Sequence, residues 1–299
     1  MESPSTPAGS PPAAPAPLPS PRPGELAVFL LSILPLTLIG AVSTLAGALV
    51  TQAALVLVTL LWARRSGFEP QRLLRFTRPA PAAVLLGAGV GVAGILAGGG
   101  LQSLTKEALP RRLVEAFDVG GLLLRSGWSE TVMIAVISLL PAFCEELAFR
   151  GGLQSTLAGR RSPARAIGLS ALVFAAFHLD PVRFPGVLLL GLAFGWLAWR
   201  TGSVWPSMAA HAVNNGVAVL GLVLAKAAGG AGVEEAVTPG EATALLLVGL
   251  VLYGLLVVGA RGWLPPAPAA ASFLVPPVAG RGGATTAGAA PSPSGSAPP

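Results

Sequence analysis

The sequence predicts an all-α, polytopic membrane protein: a bundle of about eight transmembrane helices with disordered tails at both ends. Three observations carry this expectation. The 299 residues are 53% hydrophobic and only 11% charged, and the mean hydropathy of +0.72 lies far above that of soluble domains. The apolar residues gather into runs near the ~20 residues that a helix needs to cross a bilayer core of ~30 Å. Both ends lack such runs and are rich in Pro, Ala, Ser and Gly.

In chain order, residues 1–23 form the first predicted tail. Its composition buries too little apolar area to fold alone. It is long, Pro-rich and carries only Arg22 before the first apolar run, which is not the pattern of a cleavable signal peptide. The transmembrane domain is expected over 24–263, with candidate spans near 25–43, 46–63, 80–103, 129–149, 164–180, 184–200, 204–225 and 243–262. The first two are close enough to form one bent element. Residues 105–128 read as an interfacial segment of amphipathic character, and 264–299 as the second tail. Gly87, Gly91, Gly94 and Gly98, with Gly186, Gly191 and Gly195, fall at roughly helical spacing and mark faces where helices approach closely. Pro141 is expected to kink the fourth span, and Pro206 suits the first turn of the seventh.

The formal charge of +6 excludes little by itself. The basic residues, all Arg except Lys106 and Lys226, are scattered between apolar runs, with no basic stripe interleaved with aromatics, so a nucleic-acid partner is not expected. They set orientation instead. With the amino terminus inside, the inner segments hold Arg22, Arg64, Arg65, Arg72, Arg75, Arg78, Arg160, Arg161, Arg165, Arg200, Arg261 and Arg281. The outer ones hold Lys106, Arg111, Arg112, Arg125, Arg183 and Lys226. The bias places both tails in the cytoplasm. The preference for Arg over Lys, with abundant Ala, Gly and Pro, reads as a high-GC genome, so the expected location is a bacterial inner membrane. Trp62, Trp196, Trp199, Trp205 and Trp263, near span ends, read as interfacial anchors.

Three charged residues, Glu145, Glu146 and Arg150, stand together at the end of the fourth apolar run, in the stretch CEELAFRG, residues 144–151. A charge at the centre of a spanning helix costs at least ~2.5–3.5 kcal/mol on insertion scales, so such residues usually face a protein interior and mark function. Glu146 and Arg150 are i,i+4 with the acid first, the favourable order for a helical ion pair. Glu145 is turned away by about 100° and needs a partner from another helix. The chain has two histidines, His178 and His211, each within a candidate span. Glu145 and His178 are equidistant from the Arg160–Arg161 turn, so an antiparallel hairpin sets them at one depth. Phe174 shares a helix face with His178, and Asn215 with His211. A Glu and a His on one side, with imidazole and amide donors on the other, are the parts needed to deprotonate a water and stabilise the oxyanion of an attacked carbonyl.

The order EExxxR (Glu145, Glu146, Arg150), FxxxH (Phe174, His178) and HxxxN (His211, Asn215) on successive membrane helices resembles the CPBP family of intramembrane glutamic endopeptidases, which contains the type II CAAX prenyl endopeptidases and the bacterial ABI proteins. The resemblance covers about 140–216, within a catalytic core expected over about 129–225. It implies an eight-helix bundle with a cavity reached from the cytoplasm or the bilayer. It also implies that Glu145 and His178 activate the water, that His211 and Asn215 form the oxyanion hole, and that Glu146, Arg150 and Phe174 support the site. The expected partners are the lipid bilayer and a peptide or membrane-protein substrate. No cofactor is implied.

Two other readings use the same residues. Two His and one Glu with an open position also suit catalytic zinc, although the HExxH pattern of zinc proteases is absent. A non-catalytic scaffold, immunity factor or transporter would use the acid and the histidines for binding or proton relay. Cys144, the single cysteine, excludes an intramolecular disulfide and reads as a packing residue rather than a nucleophile. Asp180, beside Pro181 at a span end, reads as a loop residue. Asn214 is expected to point away from the face of Asn215.

Overall fold

The computed structural model describes residues 45–227 and 237–269, so the candidate span 25–43 and most of both tails lie outside the described residues. Ten helices are present among those residues: α1 (Leu45–Arg65), α2 (Pro70–Leu73), α3 (Pro81–Ala108), α4 (Arg111–Ala116), α5 (Val119–Arg125), α6 (Glu130–Ala158), α7 (Pro163–Phe177), α8 (Phe184–Thr201), α9 (Trp205–Ala227) and α10 (Pro239–Trp263). No strand occurs among the described residues. Six of the helices, α1, α3, α6, α8, α9 and α10, are long and apolar enough to cross a membrane, and the protein is an all-α integral membrane protein.

Its outer surface supports that assignment. Leu85, Val251, Leu255 and Val258 are exposed, and only 11% of the most apolar window of α10 is buried within the protein. Contiguous exposed apolar surface of this extent needs lipid around it.

The seventh helix at a candidate span departs from expectation. The span expected over 164–180 is the 15-residue α7, about 22 Å long at ~1.5 Å per residue and short of a full crossing. His178 therefore does not lie within a span. It caps the C-terminus of α7, and Leu179 beyond it takes a left-handed backbone, φ 51°, which a non-glycine residue adopts at a cost. The segment expected to be interfacial also divides differently. Its first residues continue α3 to Ala108, and the rest forms α4 and α5, neither of which contributes a buried residue.

Two packed clusters build the interior. One joins Leu55 and Trp62 of α1 to Leu73, Leu74, Cys144, Phe149, Phe174 and Met208. The other joins Leu86 and Val90 of α3 to Phe194, Leu197, Ala210 and Ala260. Trp62 is thus a core residue and no interfacial anchor, whereas Trp205 and Trp263 are exposed. The glycine faces explain why the second cluster closes. A Cβ on Gly91 would lie 2.5 Å from the Ala210 carbonyl oxygen, one residue before His211, and a Cβ on Gly94 would meet Leu190 and the Tyr253 hydroxyl. Only a residue without a side chain lets α3 approach α9 this closely.

Candidate active site

Helix α6 carries the acids, and its backbone is irregular on both sides of them. Two π-helical stretches, Ile134–Leu139 and Leu147–Gln154, bracket an α-helical piece containing Glu145 and Glu146. Pro141 helps to explain the first. Having no N–H, it cannot bond the Ile137 carbonyl four residues back. Asn215 Nδ2 donates to that carbonyl instead, at 3.0 Å. The expected disturbance at Pro141 thus takes the form of a π stretch whose freed oxygen holds a site amide from α9. Ser138 Oγ reinforces the junction by donating to the Ala212 carbonyl at 2.8 Å.

Glu146 and Arg150 are fully buried and paired, Nη1 to Oε1, at 2.8 Å. The same carboxylate oxygen faces His211 Nδ1 at 3.0 Å. One buried acid therefore neutralises an arginine on its own helix and fixes a histidine on another. Arg150 is held further by the Gly191 carbonyl, to which Nη2 donates at 3.2 Å, and by the Phe174 ring, 4.2 Å from its Cζ. His211 is clamped sideways, stacked on Phe194 with centroids 5.3 Å apart and meeting Phe174 edge to face at 6.1 Å. With Nδ1 donating to Glu146, the other ring nitrogen, Nε2, is left for the site. In the doubly protonated ring it is a donor, with the positive charge beside Glu146.

His178 is oriented by its own helix. Its Nδ1 lies 2.9 Å from the Phe174 carbonyl, an acceptor, so Nδ1 bears the proton and Nε2 is the basic nitrogen. Phe174 also meets His178 edge to face with centroids 4.9 Å apart. The FxxxH spacing thus fixes both the direction and the tautomer of the imidazole.

Glu145, His178, His211 and Asn215, the four residues that sequence reasoning singled out for chemistry, line one cavity of about 330 Å³. Its walls are largely apolar, formed by Ile95, Val187, Leu190 and Phe194 with the glycines of α3, and Gln102, Val119 and Arg183 lie along it at the end of the bundle away from the Arg160–Arg161 turn. A second cavity beneath α4 and α5 also reaches Glu145 and His178, and includes Thr51, Phe117 and Leu122. Asn214 departs from expectation. It lines the first cavity with its neighbour and donates Nδ2 to Asn215 Oδ1 at 3.1 Å, which fixes that amide with its nitrogen towards Ile137.

Asp180 takes a loop role. Its Oδ1 accepts from the backbone N–H groups of Val182 and Arg183, and its Oδ2 from Arg183 Nε. Cys144 is buried in the apolar cluster. Among the described residues, no group of three or more His, Cys, Asp or Glu side chains is arranged to hold a metal ion. Sequence reasoning missed Gln52 of α1, whose Nε2 donates to Glu145 Oε1 at 3.0 Å. The only signal was an amide in an otherwise apolar run.

A family model described as type II CAAX prenyl endopeptidase Rce1-like matches residues 127–217. No curated protein and no solved structure matches the chain.

Proposed function

We propose that this chain, whose 127–217 segment matches the type II CAAX prenyl endopeptidase Rce1-like family model, is a glutamic-type intramembrane endopeptidase. The match supports a membrane peptidase, and the mechanism and substrate are read from the site. The observation that carries the reading is the convergence of Glu145, His178, His211 and Asn215 on one cavity. Glu145 takes a proton from a water as it attacks the scissile carbonyl, and the unprotonated Nε2 of His178 accepts a hydrogen bond from the water's other hydrogen and orients it. His211, held by Glu146, and the second N–H of Asn215 donate to the oxyanion that forms. The water's oxygen ends in the new carboxyl group, and its proton is passed to the leaving amine. Glu146 and Arg150 keep the donor histidine in place.

The apolar walls and the volume suit a short, uncharged stretch of peptide entering from a membrane-associated protein or peptide. Sidedness follows from charge. The bundle end away from the cavity mouth carries Arg64, Arg65, Arg72, Arg78, Arg160, Arg161, Arg165, Arg200 and Arg261 against one acid, Glu69, with Arg75 buried and left out of this balance. The end where Gln102, Val119 and Arg183 meet the cavity balances Lys106, Arg111, Arg112, Arg125, Arg183 and Lys226 with Glu107, Glu115, Asp118, Glu130, Asp180 and Glu241. The positive-inside rule puts the arginine-rich end in the cytoplasm, in a bacterial inner membrane. The cavity then opens to the opposite face, whereas the family resemblance implies access from the cytoplasm or the bilayer.

The test is cleavage of a peptide and membrane-protein library by the purified protein in liposomes, with His178→Ala and Asn215→Ala alongside and with and without a strong chelator. The reading expects cleavage that both substitutions suppress and the chelator leaves intact. Chelator-sensitive cleavage restored by zinc would make it a metalloenzyme. Cleavage unaffected by either substitution would remove these residues from the chemistry.

A further inference from the structure

Helix α1 holds three buried polar side chains, Thr51, Gln52 and Thr59. The two threonine hydroxyls donate to carbonyls of their own helix, Gly47 at 2.9 Å and Leu55 at 2.7 Å, the usual way a hydroxyl is satisfied in an apolar helix. Gln52 has no such local solution. It reaches across to α6 and gives its N–H to Glu145 Oε1 at 3.0 Å, linking residues 93 positions apart. A primary amide is costly to place in an apolar helix, and packing alone is served as well by Met or Leu. What the amide supplies is a donor aimed at one carboxylate.

The bond has a consequence for that carboxylate. Gln52 occupies Oε1, while Glu145 Oε2 is buried and has no hydrogen-bond partner. The two oxygens are thereby made different. One is tied to α1, and the other remains the acceptor for a proton. Because α1 packs on α6 beside the acids through Leu55, Cys144 and Leu147, the tie holds the carboxyl group in one rotamer facing the cavities shared with His178. The matched family segment, residues 127–217, does not include α1.

We propose that Gln52 is a positioning residue for the hydrolytic reaction, fixing the orientation of the Glu145 carboxylate through its amide N–H. This rests on the reading of Glu145 as the base. A hydrogen bond to a charged group in a buried site is worth enough that its loss should lower kcat by about 10- to 100-fold, with KM little changed because Gln52 does not line the first cavity.

The experiment measures kcat and KM in liposomes on a fluorogenic apolar peptide that the wild-type protein cleaves. The variants are Gln52→Met, which keeps the volume and removes the donor, and Gln52→Glu, which keeps the shape and replaces the donor by a carboxylate oxygen, each also built on Glu145→Gln. Thermal unfolding in detergent checks each fold. The expected result is a kcat loss of at least about 10-fold in both single variants, KM within about twofold, and no further loss when either is added to Glu145→Gln. A Gln52→Met variant that folds and keeps wild-type kcat overturns the proposal, as does an equal loss in both backgrounds, which would make Gln52 a packing residue. If Glu145→Gln alone keeps full kcat, the glutamic reading itself fails, and the proposal with it.

Discussion

Glu146 shows how much one side chain does here. The EExxxR spacing predicted its pair with Arg150, but the third partner, His211, is a contact across 65 positions that no local spacing encodes. Breaking the trio from the cation side leaves a buried carboxylate uncompensated. Arg150→Met should therefore cost about 3–5 kcal/mol of stability, read as a lowered midpoint of thermal unfolding in detergent, together with loss of cleavage as His211 is freed. Arg75 is the residue that the sequence misplaced. Counted among loop arginines facing the cytoplasm, it is in fact buried, and burial pulls its guanidinium down to about 10, still charged at neutral pH. It donates to Ser155 Oγ at 2.8 Å and to the Ala198 carbonyl at 3.0 Å, and its own carbonyl accepts from Val204 N–H. That role depends on where three distant segments end, which composition cannot show.

At the scale of elements, the motif residues were legible because each motif is local to one helix: Phe174 with His178 on α7, His211 with Asn215 on α9. The Gly91 and Gly94 face was legible for the same reason. Pro141 made the place of one irregularity legible but not its π form, since a π stretch leaves no period in an apolar run, and the truncation of α7 after Phe177 was not legible at all. Two substitutions and one control separate these causes. Pro141→Ala restores an N–H that competes with Asn215 for the Ile137 carbonyl, so kcat should fall several-fold with stability unchanged or higher, measured by cleavage rate and thermal unfolding together. Gly91→Val forces a side chain against Ala210 and Val213 and should abolish cleavage by displacing His211. Gly254→Ala, whose Cβ would meet nothing within 4 Å, should behave as wild type within about 0.5 kcal/mol.

For the whole molecule, hydropathy and the arginine distribution gave the class of fold. They could not give the mouth of the cavity, which depends on how α4 and α5 lie over α6 and α7. Sidedness is testable by single-cysteine labelling on a Cys144→Ala background. A membrane-impermeant thiol reagent added to intact spheroplasts should modify Leu122→Cys and spare Arg161→Cys. The reverse pattern would turn the cavity towards the cytoplasm.

The central claim is that the Glu145 carboxylate takes the proton of the attacking water. The most direct measurement is single-turnover cleavage by wild type and Glu145→Gln in liposomes at equal folded fraction, since glutamine keeps the shape of the side chain and its contact with Gln52 while removing the base. A rate lowered by about 10²–10⁴ is the result this account predicts. A rate within a few-fold of wild type would contradict it.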